Sequence, residues 1–162
     1  MHPEAWQWVT DNATSDHVTV LDLGGRNVNG SIRDLFPNAT WTALDIVADH
    51  GVDIVADAAD WVPDREYDVV VSTEVFEHTP LWPQILTTAH KACRVGGRLI
   101  LTMAGPGRAP HSGFDGGMLQ PGEYYGNVQP DQLQRVLESV GFHSVHIDQN
   151  WVSCDVRATA KK

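Results

Sequence analysis

The sequence predicts an α/β protein with five parallel strands and an antiparallel pair at one end of the sheet. Three observations carry that expectation. Short β-favouring runs recur along the 162 residues and alternate with helical or brief connecting segments, a pattern that calls for a parallel sheet covered on both faces. The run 18–23, Val-Thr-Val-Leu-Asp-Leu, passes straight into Gly24 and Gly25, as a buried parallel strand does when it brings its backbone to a ligand with no Cβ in the way. The last two runs, 144–149 and 153–159, are separated by residues 150–152 alone, too few for a parallel crossover, so they pair antiparallel.

Taken in order, residues 2–16 hold Trp6, Trp8 and Val9 and then a polar run, which reads as a short helix or irregular lead-in followed by a loop, with the tryptophans packed on the domain edge. Strand one, 18–23, ends in the glycine turn. Residues 31–36 form a brief helix stopped by Pro37. Strand two is 41–46 and strand three 53–57, joined by a stripped-down crossover around Gly51. Strand four, 67–72, is the longest β-branched run and leads into Thr73-Glu74-Val75-Phe76-Glu77-His78-Thr79. Residues 80–95 are the clearest helix: Leu81, Ile85, Leu86, Ala89 and Cys93 share a face, Thr79 and Pro80 suit its start, and Gly96-Gly97 suit its stop. Strand five is 98–103. Residues 104–128 carry seven glycines and three prolines without periodicity, the mark of a lid or binding loop. A last helix, 131–140, presents Leu133, Val136, Leu137 and Val140 on one face and stops at Gly141.

Length, composition and charge narrow the function. One domain spanning 1–162, without a separate cap domain, is the simplest organisation for a chain of this size. A net charge of −10 argues against a broad nucleic-acid groove, which needs clustered Lys and Arg. No apolar run approaches a membrane span, and residues 1–6 show no basic region followed by an apolar core, so the expected location is the cytoplasm. Cys93 and Cys154 are expected as unpaired thiols, and no cysteine spacing indicates a metal site. Two common nucleotide-binding signatures are broken. A dinucleotide fingerprint starting at Gly25 needs glycine at 27, which is Asn. A phosphate-binding loop starting there reaches Gly30 and then Ser31 in place of its lysine.

Five segments in order, V-L-D-L-G-G at 20–25, L-D-I at 44–46, A-D-A at 56–58, Y-D-V-V-V-S-T-E-V-F-E-H at 67–78 and R-V-G-G-R-L-I-L-T at 94–102, give the chain a resemblance to the class I S-adenosylmethionine-dependent methyltransferases. The resemblance covers nearly the whole chain. It implies a Rossmann-like sheet of seven strands, mostly parallel with the last reversed, helices on both faces, and S-adenosylmethionine as cofactor with S-adenosylhomocysteine as product. It places Asp22, Gly24, Gly25 and Asn27 in the turn beside the methionine part. Asp45 would accept the ribose hydroxyls, as a carboxylate ending strand two can, and Ile46 would pack on the adenine. Asp57 and Ala58 would read the adenine edge, and Ser72, Thr73 and Glu74 would border the methyl. The chain departs from the family's glycine pattern at Arg26 and Val28, and Asn27, Asn29 and Gly30 imply a longer, polar turn.

His78, beside the expected methyl, is the first candidate base, with a capping or positioning role as its alternative. His111 is the second, and Asp115 in the same loop is a candidate partner. Tyr124 and Tyr125 are candidates for gating or stacking on the substrate, and Glu77 for acid–base work. His143 and His146 fall on opposite faces if both are extended, against a metal site from that pair. The T-E-V-F-E-H segment is similar to that of small-molecule methyltransferases, so the expected partner is a small-molecule acceptor. The 104–128 loop, the N-terminus or a second copy in a homodimer would shape its site. A nucleotide-dependent oxidoreductase on a similar sheet and a cofactor-binding scaffold without catalysis remain the alternatives.

Overall fold

In a computed structural model, residues 2–162 are described. A seven-stranded sheet runs through the molecule in the order β3-β2-β1-β4-β5-β7-β6. The strands are β1 (Thr19–Leu23), β2 (Thr40–Asp45), β3 (Ile54–Val55), β4 (Tyr67–Thr73), β5 (Cys93–Ala104), β6 (His143–Asn150) and β7 (Asp155–Lys161). The first five pair in parallel, and β7 runs antiparallel to both β5 and β6. The expected antiparallel pair is therefore present, and its geometry is sharper than the sequence showed: β7 sits between β5 and β6, and it alone is reversed.

Both faces of the sheet are buried, which is why its strands read as nearly continuous apolar runs. On one face Leu21, Leu23, Leu44, Val70, Leu99 and Leu101 pack beneath α2 (Trp82–Ala92) and α3 (Pro130–Val140). On the other, Val20, Ala43, Val69, Val71 and Ile100 lie against Val9 of α1 (Pro3–Asn12), Ile32 and Phe36. Trp8 lies at the sheet edge, stacked on His146 at 5.9 Å with the Arg157 guanidinium 5.3 Å from its ring. No helix among the described residues is long and apolar enough to cross a membrane.

Several boundaries differ from expectation. The helix expected at 31–36 is a three-residue 3₁₀ turn, Arg33–Leu35, and β3 keeps only two residues. Helix α2 begins two residues late, because Thr79 spends its hydroxyl on the N–H of Leu81 and Phe76–His78 form their own 3₁₀ turn. It also ends early: β5 starts at Cys93, and Gly96-Gly97 sit where its register with β4 shifts. A Cβ on Gly97 would meet Cys93 Sγ at 2.7 Å and the carbonyl oxygen of Arg94 at 2.8 Å, so glycine serves the irregular strand rather than a helix stop. Gly141 does stop α3, with φ +108°. In β6 a left-handed Ser144 breaks the alternation, setting His143 opposite Lys161 and His146 opposite Thr159. Those partners are two residues apart on β7, so the two histidines share a face. Cys93 and Cys154 are both free thiols, the first buried and the second half-buried.

Candidate functional site

A cavity of about 810 Å³ opens at the carboxyl ends of β1, β2 and β4 and beneath the loop that follows β5. This is where an open parallel sheet presents its ligand site. The loop is closed at its base by the Val128 N–H donating to Ala104 O at 2.9 Å.

At one end of the cavity the Asp45 carboxylate is fixed by two backbone donors. Arg26 N–H reaches Oδ2 at 3.2 Å and Val47 N–H reaches Oδ1 at 2.9 Å. Each oxygen keeps acceptor capacity. Ile46, next in the chain, is 63% exposed, an apolar face with nothing over it. Asp57 Oδ1 accepts the N–H of Ala59 at 2.8 Å in a tight turn beside Ala58.

The middle of the cavity is acidic. Asp22 is 5% exposed and its Oδ1 has no hydrogen-bond partner. Burial, aided by the charge of Asp45, pushes its carboxyl up to about 7. Glu74 holds a left-handed backbone, φ +55°, and its Oε1 accepts the Thr102 hydroxyl at 2.9 Å. Its Oε2 faces His2 Nε2 at 3.6 Å. His2 Nε2 and Arg108 Nη1 both converge on Oδ1 of the fully buried Asp155, at 2.8 and 2.9 Å. The two cationic groups come within 2.8 Å of each other there because they share one carboxylate as donors. Asp155, then Glu74, raise the His2 imidazole to about 10.

The far end is a cluster of rings. His78 and His111 meet edge to face at 5.0 Å, and Tyr125 lies 5.7 Å from the first and 5.1 Å from the second. His78 Nδ1 and the Tyr125 hydroxyl are buried without a partner. Burial and then His111 depress the His78 imidazole to about 4, and burial, with Glu77 second, raises the Tyr125 phenol. Beneath them Glu77 is fully buried with neither carboxylate oxygen bonded, and burial holds its carboxyl well above the ordinary range. Glu77, His78 and His111 each bring one potential ligand atom within 4.8 Å of the others, a donor set of one carboxylate and two imidazoles. A neutral imidazole lining the cavity can accept a proton from a group entering it.

Residues 7–147 match a family described as "Methyltransferase domain". The chain belongs to the methyltransferase domain family. No curated protein matches the chain in sequence. Solved methyltransferase structures share its fold. An S-adenosylmethionine-dependent methyltransferase from Mesorhizobium loti aligns with TM-score 0.74 at 13% identity, over 99% of this chain and 98% of its own. The DhpI–S-adenosylhomocysteine complex gives 0.72 at 22%, over 98% and 82%. The 1,6-didemethyltoxoflavin-N1-methyltransferase of Burkholderia thailandensis, bound to 1,6-didemethyltoxoflavin and S-adenosylhomocysteine, gives 0.69 at 15%, over 98% and 78%.

The cavity of this methyltransferase domain gathers most of the residues singled out from sequence: Asp22, Gly24, Gly25, Asp45, Ile46, Asp57, Ala58, Thr73, Glu74, His78 and His111 all line it. Of the cofactor-binding and base candidates two fall outside the lining, as do Glu77, Tyr125 and Asp115, singled out for other roles. Asn27 folds back, its Oδ1 accepting the Gly30 N–H at 2.9 Å, and buried Ser72 donates to Leu23 O at 2.8 Å as a tie between strands. The expected His111–Asp115 pair does not form. Asp115 Oδ1 accepts the N–H of Gly117 in its own turn, and His111 Nδ1 donates to Ala109 O at 3.2 Å. The glycines of the first turn also have another reason to be there. A Cβ on Gly24 would overlap Val75 Cγ2, and one on Gly25 would lie 2.9 Å from Ala43 Cβ and Asp22 Oδ2. Both N–H groups donate to Leu44 O, so the turn packs on its own chain and offers a ligand no free donor at these two positions. His2, Arg108 and Asp155 were not legible as site residues: they come from three distant segments and meet only through tertiary packing.

Proposed function

We propose that the protein is an S-adenosylmethionine-dependent methyltransferase acting on a small-molecule acceptor. The observation that carries this reading is the end of β2. There a carboxylate oriented by two backbone donors stands beside an exposed aliphatic face, and both open on one cavity. That pairing suits a ribose diol next to a purine ring. Asp57 would accept from an adenine amine. Asp22 and Glu74 would face the cationic amino-acid end: an unpartnered buried carboxyl oxygen at Asp22 is a place where an ammonium group replaces missing hydrogen bonds. When bound, the sulfonium cofactor supplies an electrophilic methyl group.

This chain's residues then align and deprotonate the acceptor. His78 is neutral at physiological pH and lines the cavity, so its imidazole would take the acceptor's proton as the nucleophile attacks. His111 would orient the acceptor from the loop side, and the loop would exclude water. The relatives support a small acceptor, since the Burkholderia enzyme is bound to 1,6-didemethyltoxoflavin, and the net charge of −10 argues against nucleic acid.

Calorimetric titration with S-adenosylhomocysteine, S-adenosylmethionine and NADH tests the reading. Saturable binding of the first two and none of the third is expected. Binding of NADH alone would favour an oxidoreductase, and binding without turnover on any small-molecule acceptor would favour a non-catalytic protein.

A further inference from the structure

Arg26 stands where the family's glycine pattern is broken, and it bridges the two walls of the cavity. Its backbone N–H donates to Asp45 Oδ2 at 3.2 Å. Its Nη2 donates to two carbonyls of the loop opposite, those of Gly113 and Phe114, both at 3.2 Å. The guanidinium lies 5.8 Å from the Phe114 ring centroid, a cation–π distance. One residue therefore touches both the turn after β1 and the tip of the long loop.

The loop tip it holds is itself ordered. Ser112 N–H donates to Gly117 O and Gly116 N–H returns to Ser112 O, each at 3.0 Å. The Ser112 hydroxyl accepts the N–H of Phe114 and donates to Glu123. Residues 112–117 thus form a closed turn that has no regular secondary structure to anchor it. On the cavity side this turn backs onto His78. A Cβ on Gly113 would lie 2.9 Å from His78 Cγ and 3.1 Å from Nδ1, so the glycine main chain is packed directly against the imidazole. The chain of contacts runs Asp45, Arg26, Gly113, His78, from the end of β2 to the ring cluster.

We propose that Arg26 is a positioning residue that couples occupancy at Asp45 to closure of the 112–117 turn and to the placement of His78. The inference rests on the methyltransferase reading, in which Asp45 meets the cofactor and His78 the acceptor. A ligand that draws on the Asp45 carboxylate fixes the backbone of Arg26. The planar guanidinium, through Nη2 alone, then holds both loop carbonyls. The departure from glycine at Arg26 becomes intelligible: glycine there would remove the hydrogen bonds to the Gly113 and Phe114 carbonyls.

Hydrogen–deuterium exchange with mass spectrometry, with and without S-adenosylhomocysteine, tests the coupling. In the unsubstituted protein the ligand is expected to slow exchange of the 112–117 amides by about tenfold, the scale of a typical coupling between sites. In Arg26→Ala, at ligand concentrations that saturate the site, that protection is lost while the sheet strands exchange as before. Arg26→Lys, which keeps the cation but not the planar guanidinium, restores part of it. NMR titration of His78 supplies a second readout: Arg26→Ala is expected to move the imidazole from about 4 toward its ordinary value as the turn opens to water. Ligand-dependent protection of 112–117 that is equal in Arg26→Ala and the unsubstituted protein overturns the coupling, as does its absence from the unsubstituted protein when the ligand binds. No binding of S-adenosylhomocysteine at all overturns the methyltransferase reading with it, so the two failures are distinct.

Discussion

The His78 ring lies edge to face on His111, centroids 5.0 Å apart, with its Nδ1 buried and unpartnered. Two imidazoles so placed resist a shared charge, and burial adds to the penalty. His111→Gln is therefore expected to raise the His78 pKa from about 4, without restoring its ordinary value, because burial is the larger cause. The sign for stability follows. The unfolded chain protonates near 6.5 and the folded one near 4, so this group's contribution is complete above 6.5 and is lost as pH falls from there to 4. For a partly exposed ring the loss is no more than about 2–3 kcal/mol. Proton NMR of the imidazoles against pH, with urea melts at pH 4.5 and 7, checks both points; a His78 midpoint near 6.5 in the unsubstituted protein would refute them.

Asp22 titrates in the opposite sense. Its folded carboxyl stands near 7 and its unfolded one near 3.8, so folding stability falls as pH rises between those values. Asp22→Asn is expected to remove that slope and to leave the unliganded protein more stable at pH 8, by on the order of 3–4 kcal/mol for so buried a group. The same substitution should weaken S-adenosylhomocysteine by removing an acceptor for its ammonium. Thermal melts across pH 4 to 8, with and without ligand, separate the two effects.

Asp45→Ala removes a carboxylate that holds two backbone N–H groups as well as the proposed ribose contact. A loss of about 1.5–3 kcal/mol in S-adenosylhomocysteine affinity is expected, the scale of a charged hydrogen bond. Calorimetry reads it directly, and an unchanged affinity would remove Asp45 from the ribose role.

Gly24→Ala puts a methyl group into Val75 at a residue with φ +81°. Left-handed strain and overpacking together are expected to destabilise by about 2–4 kcal/mol. Adding Val75→Ala should recover the packing share but not the backbone share. Equal stability of Gly24→Ala and the unsubstituted protein in denaturant melts would contradict the geometry.

Asp155 is fully buried and carries Arg108, His2 and the Ser153 hydroxyl. Asp155→Ala strands these donors, and a loss of about 3 kcal/mol is expected. His2 adds a pH dependence of its own. Its pKa is raised to about 10, so its share is complete below 6.5 and disappears as pH climbs through 10. Melts at pH 7 and 10.5 should converge in His2→Gln.

The sheet was legible because both its faces are buried: β1 and β4 read as unbroken apolar runs, and the short link, expected at 150–152 and found at 151–154, left β6 and β7 one way to pair. Asp45 and Asp57 were legible because acids that end apolar strands need partners. What escaped the sequence is what depends on three-dimensional neighbours. Nothing local marks Gly24 as packed on Val75, a residue fifty-one positions on, or distinguishes Asp115, which closes its own turn, from a partner of His111. Gly96-Gly97 carry a strong helix-stop signal, and tertiary pairing with β4 overrides it. The glycine turn itself was read as room for a ligand; at Gly24 and Gly25 the space beside the main chain is already filled by Val75, Ala43 and Asp22.

The insertion of β7 between β5 and β6 makes the pairing of both strands on that side of the sheet depend on β7. β6 has no other strand to bond to, so a nascent or truncated chain lacking Asp155–Lys161 leaves β5 as an open edge and β6 unpaired. Asp155, the anchor for Arg108 and His2, is the first residue of that same strand. The acidic centre of the cavity and the seal of the sheet therefore depend on the same long-range pairing, so a chain without β7 has an unpaired edge and lacks Asp155 beneath the site.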